Sequence, residues 1–447
     1  MRSLSSTSSI HRLAAWCRDW LRSAHAGLDP QGFFRGYAGR TEPFTVIFPG
    51  MGRVTFVADA SSCHEILTIP REELCAPTPN PIAPIVGPES VILTSGEQHR
   101  RQRALLSPPF HGAKMHAQAD AMARAVREQT AGWRTGDVIP LHATAQAITL
   151  RIIIQMVLGV GEGPLCETLA RNVTAMMNAN TAPLMLLSSQ RRDLAGHGPW
   201  ARLQRLTTEF DAMLADQIQL GRRCPVTGRG AILAQLLDEH DDHRALDDAE
   251  LLQQLRTLVV AGHDTTASAL AWTMYHIHHE PGVRDRLLAE LAGAPPPEQL
   301  AELPYLSGVI AETLRMHPTV PIVLRKLSAP RCIAGSSRAA GDIVGIAVPA
   351  LHFNPTSWPE PYRFEPERFT GHSPSPFEYL PFGGGYRRCL GAAFASYELA
   401  VSVGTLLRHY EFRVPDGCTP KPLAAVARGI ATVPRREIEL VVADCRP

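Results

Sequence analysis

What the sequence lacks narrows its class first. None of its nine cysteines forms a C-x-x-C pair; they stand singly at 17, 63, 75, 166, 224, 332, 389, 418 and 445. An odd, scattered set argues against a disulfide framework and a zinc site, and for a reducing compartment. Charge is nearly balanced, at +1 net, and no basic patch stands out. Neither nucleic acid nor an anionic membrane is therefore expected as a partner. The amino-terminal stretch has no apolar run of ~18 residues to span a bilayer. Arg18, Asp19 and Arg22 interrupt what would be a signal-peptide core. A soluble cytoplasmic protein without a transmembrane anchor is the expectation.

Linkers, repeats and low-complexity tracts are missing too. A chain of 447 residues would ordinarily make about three domains, but nothing divides this one. We expect an amino-terminal segment over 1–29, with an amphipathic surface helix over Ile10–Leu21 as an option, and one large domain over 30–447. "FTVIFPG" and "GRVTFVAD" read as a strand pair turning through Gly50, Met51 and Gly52. "MHAQADAMARAVREQTAGW" reads as a helix, and the stretch from Ala245 to Glu280 as the longest one. The pattern stays helical to Arg315, turns proline-rich through "HFNPTSWPEPYRFEPERF", and ends in strand-like runs such as "EIELVVAD". The fold class is mainly α with a small β portion.

In "PFGGGYRRCLGAAFA", residues 381–395, Cys389 follows three glycines and two arginines and precedes a helix. A buried structural thiol is the bland reading. Glycines that let the backbone approach a flat partner, and a helix dipole that favours the thiolate, suit an iron ligand instead. The centre of the longest helix reads "AGHDTT", residues 261–266. Gly262 costs about 1 kcal/mol of helix propensity there. Either the helix is kinked with back-bonded threonines, or Gly262 leaves room for a ligand beside Asp264 and Thr265. Glu312 and Arg315, at i, i+3, fit an exposed ion pair when taken alone; Arg368 in "FEPERF" could join them in a buried cluster. His99 and Arg103 share a helix face, and with Arg325 and Arg387 they would suit a ligand bearing two carboxylates.

These residues together resemble the cytochrome P450 family of haem-thiolate monooxygenases, from about residue 30 onward. Phe382, Gly385, Arg387, Cys389 and Gly391 meet F-x-x-G-x-R-x-C-x-G in full; "AGHDTT", "ETLR" and "PERF" match the family's other motifs, in its order. The resemblance implies a triangular, mostly helical fold with haem b between the long helix and the helix after Cys389. Cys389 would be the axial ligand, and His99, Arg103, Arg325 and Arg387 would meet the propionates. Ala261, Phe382 and Gly391 would also touch the haem, and Glu312, Arg315 and Arg368 would form the structural charge cluster. Asp264 and Thr265 would deliver protons to dioxygen, the co-substrate.

The chain looks like the soluble bacterial type, which takes electrons from a ferredoxin or flavodoxin and its NAD(P)H-dependent reductase. The alternatives are a peroxide-driven peroxygenase and a non-catalytic haem gas-binding protein. The segments from which the family draws its pocket are aliphatic here. They include Ile85, Val86, Met177, Met185, Val320, Ile322 and Ile430, about half of them expected to be plain core. That favours hydroxylation or epoxidation of a hydrophobic small molecule such as a terpenoid, steroid or fatty acid.

Overall fold

Asp248–His279 forms one unbroken helix of 32 residues, 22 of them buried. So complete a burial makes it a strut through the core, not a surface helix with one apolar stripe. Its reach is roughly 48 Å. Asp247 closes its start, Oδ1 accepting the Glu250 N–H at 2.8 Å, so the acidic opening of this stretch is a helix cap. The structure is a computed structural model. It describes residues 21–446 apart from 49, 77, 79, 81, 182, 183, 186, 194, 224–230, 239–245, 418–423 and 430. The optional surface helix thus lies almost wholly outside the described residues, and Ile430 outside them altogether.

The helices that build the site are α1 (Gly96–Leu106), α2 (Leu141–Leu158), α3 (Asp248–His279), α4 (Pro304–Met316) and α5 (Ala392–His409). Helix α2 packs along α3 more extensively than any other pair of elements. It is the one helix among the described residues long and apolar enough to cross a membrane, but 67% of it is buried within the fold. Its apolar character is that of a core helix.

A five-stranded sheet lies to one side, in the order β1-β2-β5-β4-β3, with β1 Phe44–Phe48, β2 Gly52–Val57, β3 Leu74–Cys75, β4 Ile322–Leu327 and β5 Ile343–Ala347. The expected hairpin is there, antiparallel with Phe44 opposite Phe56. Strand β2 then runs parallel to β5. Phe33, Phe34, Phe44 and Phe56 form a second, smaller core beneath this sheet.

Two helical expectations differ from what forms. The stretch after Met115 is split into Gly112–His116 and Ala119–Thr130, because the chain tightens where the Gln118 N–H donates to Met115 O at 3.0 Å. The helical run to Arg315 is also interrupted. Gly282 takes a positive φ of 74°, and Pro295, Pro296 and Pro297 cannot continue a hydrogen-bonded turn. The late hairpin, Ala425–Arg428 with Ala431–Pro434, returns the chain to α3, where Ser268 Oγ donates to Thr432 O at 2.7 Å.

Candidate active site

The loop before α5 is wound by its own backbone. Gly383 N–H donates to Leu380 O at 3.1 Å, Arg388 N–H to Gly385 O at 3.0 Å and Cys389 N–H to Phe382 O at 2.9 Å. Gly385 has φ +65°, and a Cβ there would lie 2.5 Å from Leu67 O. Its smallness therefore serves an approach to the chain at Leu67, a partner the sequence does not reveal. Cys389 is uncovered yet enclosed: its surface is exposed, while surrounding protein desolvates the thiol and pushes its pKa up. The Gly391 N–H, Arg388 and Arg103 pull the other way. Helix-end stabilisation, the effect expected from sequence, is present through Gly391, but desolvation outweighs it.

Around this loop the expected cations come together. Burial, then Arg387, Arg103, Arg71 and Arg325, lower the pKa of His99 to about 4, so its ring is neutral. Tyr386, an unspecified position of the cysteine-loop motif, is the hub. His99 meets its ring edge-on at 5.5 Å, the Arg325 and Arg387 guanidinium carbons lie 5.7 and 5.2 Å from its centroid, and Arg387 Nε donates to its hydroxyl at 3.0 Å. Among the described residues, no carboxylate pairs with Arg103, Arg325 or Arg387, and the Arg103 side chain has no hydrogen-bond acceptor. Positive charge without an internal counter-ion, beside an uncovered thiol, fits a haem with its two propionates.

Arg387 has a second attachment. It donates to Ile92 O at 3.1 Å, Thr94 O at 2.5 Å and Ser95 Oγ at 3.2 Å. The strap it holds, residues 87–95, is fastened along its other edge by α3. Gln253 Oε1 accepts the Glu89 N–H and Gln254 Oε1 the Val91 N–H, both at 2.9 Å, and Thr257 Oγ1 donates to Ser90 Oγ at 2.8 Å.

On α3, Ala261, Gly262 and Thr265 are half-buried between fully buried turns. Thr265 Oγ1 donates to Ala261 O at 2.8 Å, so the back-bonded threonine is real. A Cβ at Gly262 would stand 2.8 Å from Ile153 Cδ1 of α2, so the glycine admits the neighbouring helix. Asp264 is wholly buried. Gln146 Nε2 donates to its Oδ1 at 2.8 Å, while Oδ2, 4.0 Å from Arg428 Nε, has no hydrogen-bond partner among the described residues. Next to it, Thr149 Oγ1 donates to His263 O at 3.2 Å. His142, Gln146, Thr149 and Ile153 recur at four, three and four residues, one stripe of α2. His142, Gln146 and Thr149, polar positions in an apolar helix, were the missed signal.

Glu312 and Arg315 are not an exposed pair; both are fully buried. Arg315 donates Nε to Glu312 Oε2 at 2.6 Å and Nη2 to Oε1 at 2.8 Å. Arg368 Nε lies 3.5 Å from Glu312 Oε1, so the three residues do form one cluster. Of the expected pocket residues, Ile85, Val86 and Met177 are buried, Ile85 and Met177 within the main core. Met185 and Ile322 are half-buried, and Val320 is exposed.

The chain matches the family model described as "Cytochrome P450" over residues 19–440. Cytochrome P450 138 of Mycobacterium tuberculosis is 32% identical over 408 residues, 90% of this chain and 88% of that protein. Cytochrome P450 135A1 of the same organism is 33% identical over 358 residues, 80% and 77% of the two chains. Among solved structures, a cytochrome P450DA heme domain superposes with a TM-score of 0.81 at 21% identity, covering 95% of each chain. The retinoic acid-bound cyanobacterial CYP120A1 does so with 0.77 at 23%, covering 90% and 91%.

Proposed function

This chain belongs to the cytochrome P450 family of haem monooxygenases, and we propose that it hydroxylates or epoxidises a hydrophobic small molecule with Cys389 as the axial ligand. The observation that carries the assignment is the Cys389 thiol, uncovered at the end of its wound loop, with the Gly391 N–H on its sulfur and Arg103 beside it. His99, Arg103, Arg325 and Arg387 would hold the propionates, and Ala261, Phe382 and Gly391 would border the ring. When bound, the haem supplies dioxygen activation and the insertion of one oxygen atom into the substrate.

The residues of α3 supply protons. Thr265 gives its hydroxyl hydrogen to Ala261 O, which leaves its oxygen lone pairs to orient a water. Asp264 keeps Oδ1 on Gln146 and has Oδ2 free to take up and release a proton. Arg428, partly exposed beside it, gives that carboxyl a route towards the surface. The substrate is lipophilic, a terpenoid, steroid or fatty acid, because the pocket segments offer aliphatic side chains such as Met185 and Ile322. Electrons come from a separate ferredoxin or flavodoxin with its NAD(P)H-dependent reductase in the cytoplasm. Arg388, exposed beside Cys389, presents a cation to such an acidic partner.

The test is the spectrum of the reduced carbonyl complex. Wild-type protein should give the thiolate-type signature and Cys389→His should lose it, whereas Cys332→Ser should keep it. A thiolate-type signature in Cys389→His would end the assignment. Titration with lipophilic compounds, read as displacement of water from iron, then tests the substrate class. Response to strongly polar compounds alone would reject it.

A further inference from the structure

His352, fully buried, joins the charge cluster to the cysteine loop, and neither the motifs nor the chemistry above assigns it a part. Its Nδ1 lies 3.0 Å from Arg315 O, and its Nε2 accepts the Leu380 N–H at 2.8 Å. A carbonyl can only accept and an amide N–H can only donate. The ring is therefore held as one tautomer, with hydrogen on Nδ1 and a lone pair on Nε2. Arg315 in turn donates Nη1 to His352 O at 2.8 Å, so the two residues clasp each other twice. Tyr379 stacks on the ring at 5.5 Å and donates its hydroxyl to Ala311 O at 2.8 Å. Helix α4 thus holds residues 379 and 380 at two points, Ala311 and Arg315. Leu380 O receives the Gly383 N–H, and two residues on, Phe382 O receives the Cys389 N–H.

We propose that His352 is a positioning residue for Cys389: through its two ring nitrogens it transfers the position of α4 to Leu380 and so fixes the loop that aims the thiolate. The inference rests on Cys389 being the iron ligand. Asparagine and glutamine separate the two halves of the contact. His352→Asn can place an amide N–H near Nδ1 but falls short of Leu380. His352→Gln can reach Leu380 with an acceptor oxygen but gives up the bond to Arg315 O.

The experiment measures amide hydrogen exchange at Leu380 and Cys389 in the haem-loaded protein, with the reduced carbonyl spectrum in parallel. In His352→Asn both amides should exchange faster by about tenfold or more, with α4 unchanged, and part of the thiolate-type signature should be lost. His352→Gln should restore protection at Leu380 and the signature. Equal behaviour of the two variants, or loosening of α4 with the loop, would overturn the proposal. If His352→Asn does not fold, His352→Gln decides alone: retained protection and signature support it, and their loss overturns it. Cys389→His should lose the signature while keeping Leu380 protected, so failure of the ligand assignment reads differently.

Discussion

Gln146 and Asp264, 118 residues apart in sequence, meet through one hydrogen bond of 2.8 Å between α2 and α3. It satisfies one oxygen of a wholly buried carboxyl whose other oxygen has no hydrogen bond among the described residues. Gln146→Leu should therefore strip the Asp264 carboxyl of its only hydrogen bond among the described residues. The expected loss is about 1–3 kcal/mol of stability and a fall in product formed per reductant oxidised. Urea unfolding and a coupled product assay check both. Unchanged coupling would mean that Gln146 serves packing alone.

Thr265 and Asp264 should separate by phenotype. Thr265→Ala removes a hydroxyl that, among the described residues, is bonded only within its own helix, so haem content and substrate affinity should stay near wild type. Reductant should still be consumed, with peroxide replacing hydroxylated product. Asp264→Asn keeps the shape and removes the acid, and should slow turnover by ~10²–10⁴, the usual worth of general acid catalysis. Peroxide and product are assayed together against reductant consumed. Full coupling in both variants would sink the proton-delivery assignment.

Gly262→Ala sets two small effects against each other. Alanine gains about 1 kcal/mol in helix propensity, but its methyl would crowd Ile153, and overpacking typically costs about 1–3 kcal/mol. The single variant should be slightly destabilised. Gly262→Ala with Ile153→Val, which removes the crowding methyl, should be at least as stable as wild type. Thermal melts of the three proteins decide it. A double variant weaker than the single one would show that the glycine is needed for another reason.

Glu398 gives a pH signature. It is buried on α5 with neither carboxyl oxygen bonded among the described residues, and desolvation raises its pKa well above the usual carboxylate range. The folded state then holds a proton that the unfolded state releases above about pH 4.5. Its contribution to stability is fully present below that pH and is lost as pH rises towards the folded pKa, by at most about 1.4 kcal/mol per unit. The advantage of Glu398→Gln over wild type in urea unfolding should thus grow from pH 5 to pH 8. A difference independent of pH would rule this out.

The sequence made the cysteine loop legible because Phe382, Gly385, Arg387, Cys389 and Gly391 fall within ten residues, where backbone geometry is local. Glu312 and Arg315 were legible as a pair and Arg368 as a third member of a buried cluster, but the pair alone left exposure and burial both open, since burial depends on what packs over α4. Gln146, Arg428 and His352 reach their partners from other segments, and no local pattern names such a partner. The reason for Gly262 was hidden likewise, because Ile153 approaches it from α2. The direction of the Cys389 shift was misjudged for the same cause: a helix dipole can be read from spacing, but desolvation requires the surrounding walls.

The strap over residues 87–95 bears on how the protein is assembled. Its fastenings to Gln253, Gln254 and Thr257 lie some 163–167 residues downstream, and those to Arg387 some 292–295. A chain that leaves the ribosome amino end first can dock the strap on α3 well before Arg387 exists to clamp its second edge. Arg387 also stands two residues from Cys389, so the thiol and the last clamp reach the fold together. The second edge of the strap can therefore close only after nearly nine-tenths of the chain has been made, and it closes with the segment that carries the thiol.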